Sequence, residues 1–317
     1  MTTVSTLSPQ ALEFLEKNKA RRIPLKLTPW LARYARRSTE SRMLPVRDGL
    51  MDRLAPTVQM QEMDGVRVVT VTPRNHDPEA SKGAYAVYIH GGAYMLGNAF
   101  DVTVILMAEA LALPVHSIEY SLTPEVAYPV AAEEALRAWN AIIAQHGEQA
   151  VLFGVSAGGG LALSLLQRLI EGRHALPKAL GLFTPWTDLT GAGDSYQANE
   201  GRDPVIRWGG QLAKAAAAYA RGHDPRIPGI SPVYADFSAD FPPTIITSGT
   251  RDLFLSDCTR LYWRLRKAMA PVELRIWEGV WHAFLVEPEI PEAAECRAEV
   301  ASFLRTQLDL DGVSQAC

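Results

Sequence analysis

The sharpest chemical signal in the sequence is the pentapeptide GVSAG at 154–158, which has the spacing G-x-S-x-G. An apolar run typical of a buried strand precedes it at 151–155, and a helical apolar pattern follows it at 157–172. A serine between two such elements lies on a strained turn that holds its hydroxyl above the end of the sheet. We therefore predict that Ser156 is a nucleophile, the alternative being an ordinary serine in a glycine-rich turn.

A second glycine-rich turn, HGGAY at 90–94, follows the apolar run 84–89. Acyl transfer builds negative charge on a carbonyl oxygen, and each backbone N–H aimed at that oxygen contributes roughly 10²–10³ in rate. Glycines let the backbone approach a ligand closely enough to supply such donors. Alone, this turn is equally typical of a flexible loop. Together with the serine turn it indicates a pocket for an oxyanion.

A serine hydroxyl is a weak nucleophile at neutral pH and needs a base. The chain has seven histidines. In enzymes with this kind of serine turn, the acid and then the histidine follow the serine along the chain. His282 lies in a loop between the last predicted strand and the last predicted helix, so we predict that it is the base. The alternative is a loop histidine with a structural role.

Two aspartates follow the late apolar run 244–248 and compete for the role of the acid. Asp252 could accept the Nδ1–H of His282, which would orient the imidazole and stabilise the imidazolium. Asp257 is better placed to cap the helix that carries Leu261 and Leu265. We predict that Asp252 is the acid, with Asp257 as the open alternative.

These residues need a framework to hold them, and the sequence alternates between two kinds of segment. The first two strands flank an Asp-Gly hairpin turn. Eight stretches in all read as strands: 57–63, 67–72, 84–89, 115–119, 151–155, 180–183, 244–247 and 272–277. Six later segments read as helices: 101–112, 130–146, 157–172, 209–221, 256–269 and 292–308. This alternation predicts an α/β fold, with a mostly parallel eight-stranded sheet flanked by helices and an antiparallel start.

Two parts of the chain fall outside this alternation. The N-terminal part has two helix-start signals, Ser8-Pro9 and Thr28-Pro29, and no strand signal. Residues 186–232 form a glycine- and proline-containing insertion, and an insertion of this length within a βαβ unit is usually functional. We predict that residues 1–50 are a helical cap segment, and that residues 51–317 are a catalytic domain whose insertion, about 186–232, completes the cap.

Charge and composition exclude several classes of protein. The 317 residues include 31 Lys and Arg and 35 Asp and Glu, a net charge of −4. The short arginine-rich stretch at 33–37 reads as a solvated helix face, so we expect no nucleic-acid partner. No run of 18 apolar residues is present, so we expect no membrane partner. No CxxC or HxxxH pair indicates a metal.

The three cysteines are few, odd in number and widely spaced, which favours a reducing compartment. The first residues, MTTVST, lack the basic and apolar regions of a secretory signal. We therefore expect a cytoplasmic protein. Whether it forms a homodimer is left open by the sequence.

The residues collected so far resemble the hormone-sensitive lipase family of α/β-hydrolases, in its bacterial carboxylesterase branch. The resemblance spans about residues 57 to 310 and rests on several motifs: HGG at 90–92, YSLTPE at 120–125, YP at 128–129, GVSAGG at 154–159, TPWTD at 184–188, and Asp252 ahead of His282. The chain also departs from the family: Ala93 replaces a frequent third glycine, Val155 an acidic residue, and Ser121 a frequent arginine.

The resemblance implies an α/β-hydrolase fold with a helical cap, and a Ser156–His282–Asp252 triad. It places the oxyanion donors at Gly91, Gly92 or Ala93, together with Ala157. It also implies a serine carboxylesterase that forms an acyl-enzyme, with a small-molecule ester as its substrate and with no cofactor or metal.

Six aromatic residues lie in segments that could line the substrate pocket, although plain packing explains each of them equally well: Trp30, Tyr34, Tyr94, Trp186, Tyr196 and Trp208. An apolar cap over a small cleft favours short- to medium-chain esters. A lactone hydrolase or an amidase would use the same site and stays an alternative. A non-catalytic ligand-binding protein on a hydrolase scaffold is an alternative that the intact serine, histidine and aspartate disfavour.

Overall fold

A computed structural model describes residues 6–19 and 28–310. Cys317 and the first five residues, which entered the expectations about redox compartment and export, lie outside the described residues. Eight strands form a single sheet: β1 Thr57–Met63, β2 Val66–Thr72, β3 Tyr85–Ile89, β4 Val115–Ile118, β5 Ala150–Val155, β6 Leu180–Phe183, β7 Thr244–Gly249 and β8 Val272–Trp277. All eight predicted strands are confirmed within one or two residues.

The sheet has the strand order β1-β2-β4-β3-β5-β6-β7-β8. β1 and β2 form the predicted hairpin, β2 runs antiparallel to β4, and every later pairing is parallel. Parallel strands are buried on both faces and read as continuous apolar runs, which is why they were visible in the sequence. Since β5, β7 and β8 are parallel, their carboxyl ends and the loops that follow meet at one edge of the sheet.

The helices cover both faces of this sheet. Their bounds are as follows: α1 Pro9–Lys17, α2 Pro29–Leu54, α3 Val102–Leu111, α4 Val130–His146, α5 Ala157–Gly172, α6 Ser195–Ala198, α7 Ala213–Ala220, α8 Leu255–Lys267 and α9 Pro291–Thr306. Val87 and Ile89 of β3 enter one core with α4, α5 and α8. Ala86 and Tyr88 enter the other with α3 and α9, as the two-residue period of a strand requires. Within the described residues, no helix has both the length and the apolar character needed to cross a bilayer.

The arginine-rich stretch on α2 is not a simple solvated face. The Arg36 guanidinium donates to the carbonyl oxygens of Met95 and Thr123, at 2.8 and 2.6 Å. It also forms a two-pronged ion pair with Glu125, with N–O distances of 2.9 and 2.8 Å. The expectation fails at Arg36 because a carboxylate and two carbonyl groups distant in sequence converge on it. Arg36 thereby attaches α2 to the loops that follow β3 and β4.

The insertion between β6 and β7 is only partly helical. The helix predicted at 209–221 begins late: Trp208–Leu212 forms a distorted turn, and the regular helix α7 covers Ala213–Ala220. Gly210 lies at φ 136°, outside helical backbone. Glycine has weak helical preference, so the pair at 209–210 permits this break.

Candidate active site

Ser156 lies on the turn between β5 and α5, and the turn is strained. Its φ of 56° and ψ of −122° fall outside the usual regions for a residue with a side chain. Two backbone hydrogen bonds hold this conformation: the Ser156 N–H donates to the Phe183 carbonyl, and the Trp186 N–H donates to the Ser156 carbonyl, both at 2.9 Å. Gly158 is required by close approach, because a Cβ there would lie 2.0 Å from the Ile89 carbonyl oxygen.

Three side chains from separate loops form one hydrogen-bonded chain. The Ser156 Oγ lies 2.9 Å from Nε2 of His282, and the Nδ1 of His282 lies 3.0 Å from Oδ1 of Asp252. A carboxylate only accepts hydrogen bonds, so Nδ1 carries the proton and Nε2 is free to accept from the serine. The side chains are nearly enclosed, with relative exposures of 7% for Ser156, 3% for His282 and 0% for Asp252.

The carboxylate of Asp252 is held by further donors. Oδ2 accepts from the Ser248 hydroxyl at 2.7 Å, and Oδ1 also accepts from the Phe254 backbone N–H at 2.9 Å. The ring of Phe254 meets the His282 imidazole edge to face, with centroids 4.7 Å apart. The Asp252 carboxylate and the His282 imidazole are therefore held in orientation by Ser248 at the end of β7 and by Phe254 in the loop that follows.

Asp257 is not the helix cap that the sequence suggested. It lies in the first turn of α8, and its Oδ2 accepts from the backbone N–H groups of Thr187 and Asp188, at 3.0 and 2.9 Å, and from the Tyr196 hydroxyl at 3.2 Å. Burial raises the pKa of this carboxyl well above its usual value. Asp257 therefore stabilises the loop after β6 and does not contact His282.

The HGG turn lies beside Ser156. An ideal Cβ on Gly91 would be 3.3 Å from the Ser156 Cβ. Gly92 has φ 115°, and a Cβ there would be 2.1 Å from the Leu96 carbonyl oxygen, so only glycine fits. The residues after it, Ala93 and Tyr94, also have positive φ, of 55° and 58°. This turn thus brings a strained stretch of backbone against the serine.

Four of the six aromatic residues predicted for the pocket lie in packed ring contacts. Trp186 is fully buried and stacks on Phe254, with centroids 5.4 Å apart, and so joins the ring packing that reaches His282. Tyr94 is buried and stacks on Tyr219 of the insertion at 3.8 Å. Tyr196 is buried, and the half-buried ring of Trp208 meets it edge to face at 5.1 Å.

Trp30 and Tyr34 do not belong to this buried site. They stack on each other on the first turns of α2, at 6.2 Å, and are 71% and 64% exposed. Both rings lie in solvent here, so the prediction that they wall the pocket gains no support from this arrangement and stays a prediction.

Two residues at the site were missed in the sequence. Phe254, which packs on His282, had no pattern to mark it. Asp203 of the insertion is 1% exposed and accepts from the backbone N–H of His282 at 3.1 Å. The pKa of Asp203 is raised to about 6, chiefly by burial; His282 acts to lower it and the charge of Asp252 acts to raise it. No short motif distinguishes such an aspartate from the acidic residues of an ordinary loop.

The sheet order, and the position of the serine turn after β5, define the class of the molecule: it has the α/β-hydrolase fold. A model of a protein family with this fold matches residues 86–286. The chain belongs to this family.

Relatives and solved structures agree with that assignment. An acetyl-hydrolase of Streptomyces hygroscopicus is 31% identical over 236 residues, which are 72% of this chain and 78% of the relative. An esterase of Acinetobacter venetianus is 29% identical over 261 residues, 81% of this chain and 84% of the relative. The crystal structure of the esterase E25 matches with a TM-score of 0.88 at 29% identity and covers 96% of both chains. The family resemblance drawn from the sequence is confirmed.

A structure described as an esterase from the bacterial hormone-sensitive lipase family shares the fold as well. Its TM-score is 0.81 at 24% identity, and the match covers 96% of this chain and 100% of that one.

Proposed function

We propose that this chain is a serine carboxylesterase that hydrolyses short- to medium-chain esters through Ser156, His282 and Asp252. The observation that carries the proposal is the unbroken series of contacts from the serine hydroxyl through the imidazole to the carboxylate, at 2.9 and 3.0 Å. The expectation of a carboxylic ester hydrolase is confirmed at the level of reaction class, since relatives are named esterase and acetyl-hydrolase.

The mechanism follows from the hydrogen-bonding roles of these three side chains. Ser156 Oγ attacks the ester carbonyl carbon while Nε2 of His282 takes the hydroxyl proton. The tetrahedral intermediate collapses as the imidazolium returns that proton to the leaving alcohol, which leaves an acyl group on Ser156. Water then attacks the acyl carbon while the same imidazole takes its proton, and the imidazolium returns that proton to Ser156 Oγ as the acyl–oxygen bond breaks and the acid departs. Asp252 stays ionised, and it orients the imidazole and stabilises its charged form.

Backbone donors for the intermediate lie on two sides of the serine. Ala157 is the first residue of α5, so its N–H has no intrahelical acceptor and points outward at a helix N-terminus. Gly92 and Ala93 form the neighbouring turn. Within the described residues, the N–H groups of Gly92 and Ala93 donate to no protein acceptor. We assign the oxyanion hole to these amides, with Gly91 bringing its backbone against the serine.

The substitution Ser156→Ala tests the nucleophile. Removal of the hydroxyl should abolish turnover of a p-nitrophenyl ester while the far-ultraviolet circular dichroism and the unfolding midpoint stay unchanged. A fluorophosphonate probe should label the wild-type protein once, at Ser156, as read by peptide mass spectrometry. Undiminished hydrolysis by the Ala variant, or a label on another residue, would overturn the proposal.

The enclosure of the site supports a preference for short acyl chains. Ser156 and His282 are almost fully buried, and a series of packed rings leads away from His282: Phe254 meets the imidazole, Trp186 stacks on Phe254, and Tyr94 lies against Trp186. A long acyl chain would have to displace these rings. Across p-nitrophenyl esters of increasing length, kcat/KM should peak between about two and eight acyl carbons. A maximum at sixteen carbons would reject this preference.

The cap is assigned on the same grounds. We infer that the insertion 186–232 is the main cover of the site, because Trp186, Tyr196 and Tyr219 all lie in it and are buried. The N-terminal part attaches differently: Phe14 of α1 stacks on Trp281, with centroids 4.2 Å apart, beside His282.

A panel of an ester, a lactone and an anilide, run on wild type and on Ser156→Ala, separates esterase from lactonase and amidase activity.

A further inference from the structure

One turn of the insertion reaches the two loops that carry the proposed acid and base. This turn follows the short helix α6 and contributes Asn199 and Asp203, whose relative exposures are 3% and 1%. The Asp203 N–H donates to the Asn199 carbonyl oxygen at 3.1 Å, so the two residues form one compact unit. Both side chains are buried and polar, and their hydrogen-bond partners show what the turn does.

The carboxylate of Asp203 accepts four backbone N–H groups. Oδ1 accepts from Val205 and Ile206, at 2.8 and 3.2 Å, which folds the turn on itself. Oδ2 accepts from Leu253 at 3.2 Å and from His282 at 3.1 Å. Leu253 directly follows the proposed acid, and His282 is the proposed base. A single carboxylate oxygen therefore joins the two loops at the residues where their relative position matters for the reaction.

Asn199 holds the acid loop from the other side. Its amide Nδ2 donates to the carbonyl oxygens of Asp252 and Thr250, at 2.8 and 3.2 Å. The turn thus binds both the carbonyl oxygen and the N–H of the peptide group that joins Asp252 to Leu253, and it also donates to the carbonyl oxygen of Thr250. Since every partner is a backbone atom, these contacts fix the path of the loop itself rather than a side-chain rotamer.

The choice of a carboxylate matters here. All four partners of Asp203 are donors, and only an ionised carboxyl offers acceptors to all of them. An asparagine has one acceptor oxygen, and its NH₂ group would face N–H donors. Burial raises the pKa of Asp203 to about 6, so the group is still ionised at neutral pH, although its ionisation costs free energy there.

We propose that Asp203 is a positioning residue of the esterase reaction. It holds the loop of Asp252 and the loop of His282 at the separation needed for proton transfer, and Asn199 adds hydrogen bonds to the loop of Asp252. This inference rests on the proposed function, because it takes Asp252 and His282 as the acid and the base. Asp203 does not touch the substrate or the reacting atoms and acts through the backbone of its neighbours.

The test is steady-state kinetics of the full chain with p-nitrophenyl acetate. Asp203→Asn should lower kcat on the order of 10²-fold, since small displacements of catalytic groups have effects of that size, and should leave KM within about twofold. Asn199→Ala removes only the hydrogen bonds to the carbonyl oxygens of Thr250 and Asp252 and should lower kcat by about tenfold, again without a change in KM. The second variant keeps the test informative if the first folds poorly.

Asp257→Asn is the matched control. Asp257 is equally buried and also accepts two backbone N–H groups, but its partners are Thr187 and Asp188. The kcat of the Asp257→Asn variant should stay within about twofold of the wild-type value. If kcat falls in all three variants in proportion to a lowered unfolding midpoint, the role is purely structural and the proposal is overturned. An unchanged kcat in the Asp203→Asn variant would overturn it as well.

Ser156→Ala separates this inference from the proposed function. If that variant is inactive while Asp203→Asn and Asn199→Ala keep full kcat, the esterase assignment stands and only the positioning role fails. If Ser156→Ala keeps its activity, the proposed function itself fails.

Discussion

The strained backbone of Ser156 shows how one residue is prepared by its neighbours. Its φ of 56° is unfavourable for a residue with a Cβ, and hydrogen bonds to the loops after β6 stabilise it. The same conformation directs the hydroxyl to His282 and leaves the N–H of Ala157 at the start of a helix. The proposed nucleophile, its contact with the proposed base and one proposed oxyanion donor thus all depend on a single turn.

The two aspartates after β7 make a sharp comparison. Asp252→Asn should lower kcat by up to about 10⁴, because an amide that presents its NH₂ to Nδ1 stabilises the wrong tautomer of His282. Asp257→Asn should leave kcat within about twofold, because burial already favours the neutral form of that carboxyl and the amide resembles it. Kinetics with p-nitrophenyl acetate at neutral pH decide between them. The reverse pattern would move the acid from Asp252 to Asp257.

The loops after β5, β7 and β8 meet because parallel strands end at one edge of the sheet. The hydrogen bond between Ser156 and His282 spans 126 residues of sequence, and that between His282 and Asp252 spans 30. The insertion adds a third connection, from Asp203 to His282 across 79 residues. The site is therefore formed where several loops meet, and the distances between its side chains depend on how those loops are attached to one another.

Helix α2 is attached largely through the hydrogen bonds of Arg36. Arg36→Ala removes hydrogen bonds to two carbonyl groups and to Glu125, and should lower the free energy of unfolding by about 2 kcal/mol. Arg33→Ala is the control: Arg33 is 65% exposed and makes a 3.3 Å contact with the same Glu125, so its loss should cost less than about 0.5 kcal/mol. Urea unfolding measures both. Equal losses would show that Arg36 is merely a surface charge.

Buried carboxyls give the fold as a whole a dependence on pH. Asp203 has a pKa of about 6 in the folded chain, against a value of 3.8 for an unperturbed aspartate. Between these two values the folded state binds more protons than the unfolded state, so the stability contributed by this group falls as the pH rises from about 4 to about 6. At about 1.4 kcal/mol per pKa unit, the fall amounts to roughly 3 kcal/mol.

Asp203→Asn should remove that slope. Urea unfolding at pH 4, 5, 6 and 7 should show the stability of the variant, relative to wild type, increasing across this range by up to about 3 kcal/mol. The expected change is one of pH dependence only, because the loss of carboxylate acceptors for four backbone N–H groups destabilises the variant at every pH. A constant difference between the two proteins from pH 4 to pH 7 would contradict this account.

The features that the sequence determined by itself are local. The serine turn, the strand hairpin and the alternation of strands and helices depend on residues close in the chain, where glycine and apolar spacing act directly on the backbone. The family resemblance followed from those motifs. The helix at 209–221 was misjudged because two glycines permit a break that its apolar pattern does not reveal.

Only the tertiary structure decided which side chains meet. It separated Asp252 from Asp257, left Trp30 in solvent, paired Arg36 with Glu125, and brought Asp203 to the backbone of His282. The physical reason is the same for each of them: a side chain's role depends on donors, acceptors and solvent supplied by segments distant in sequence, and no local pattern encodes that arrangement.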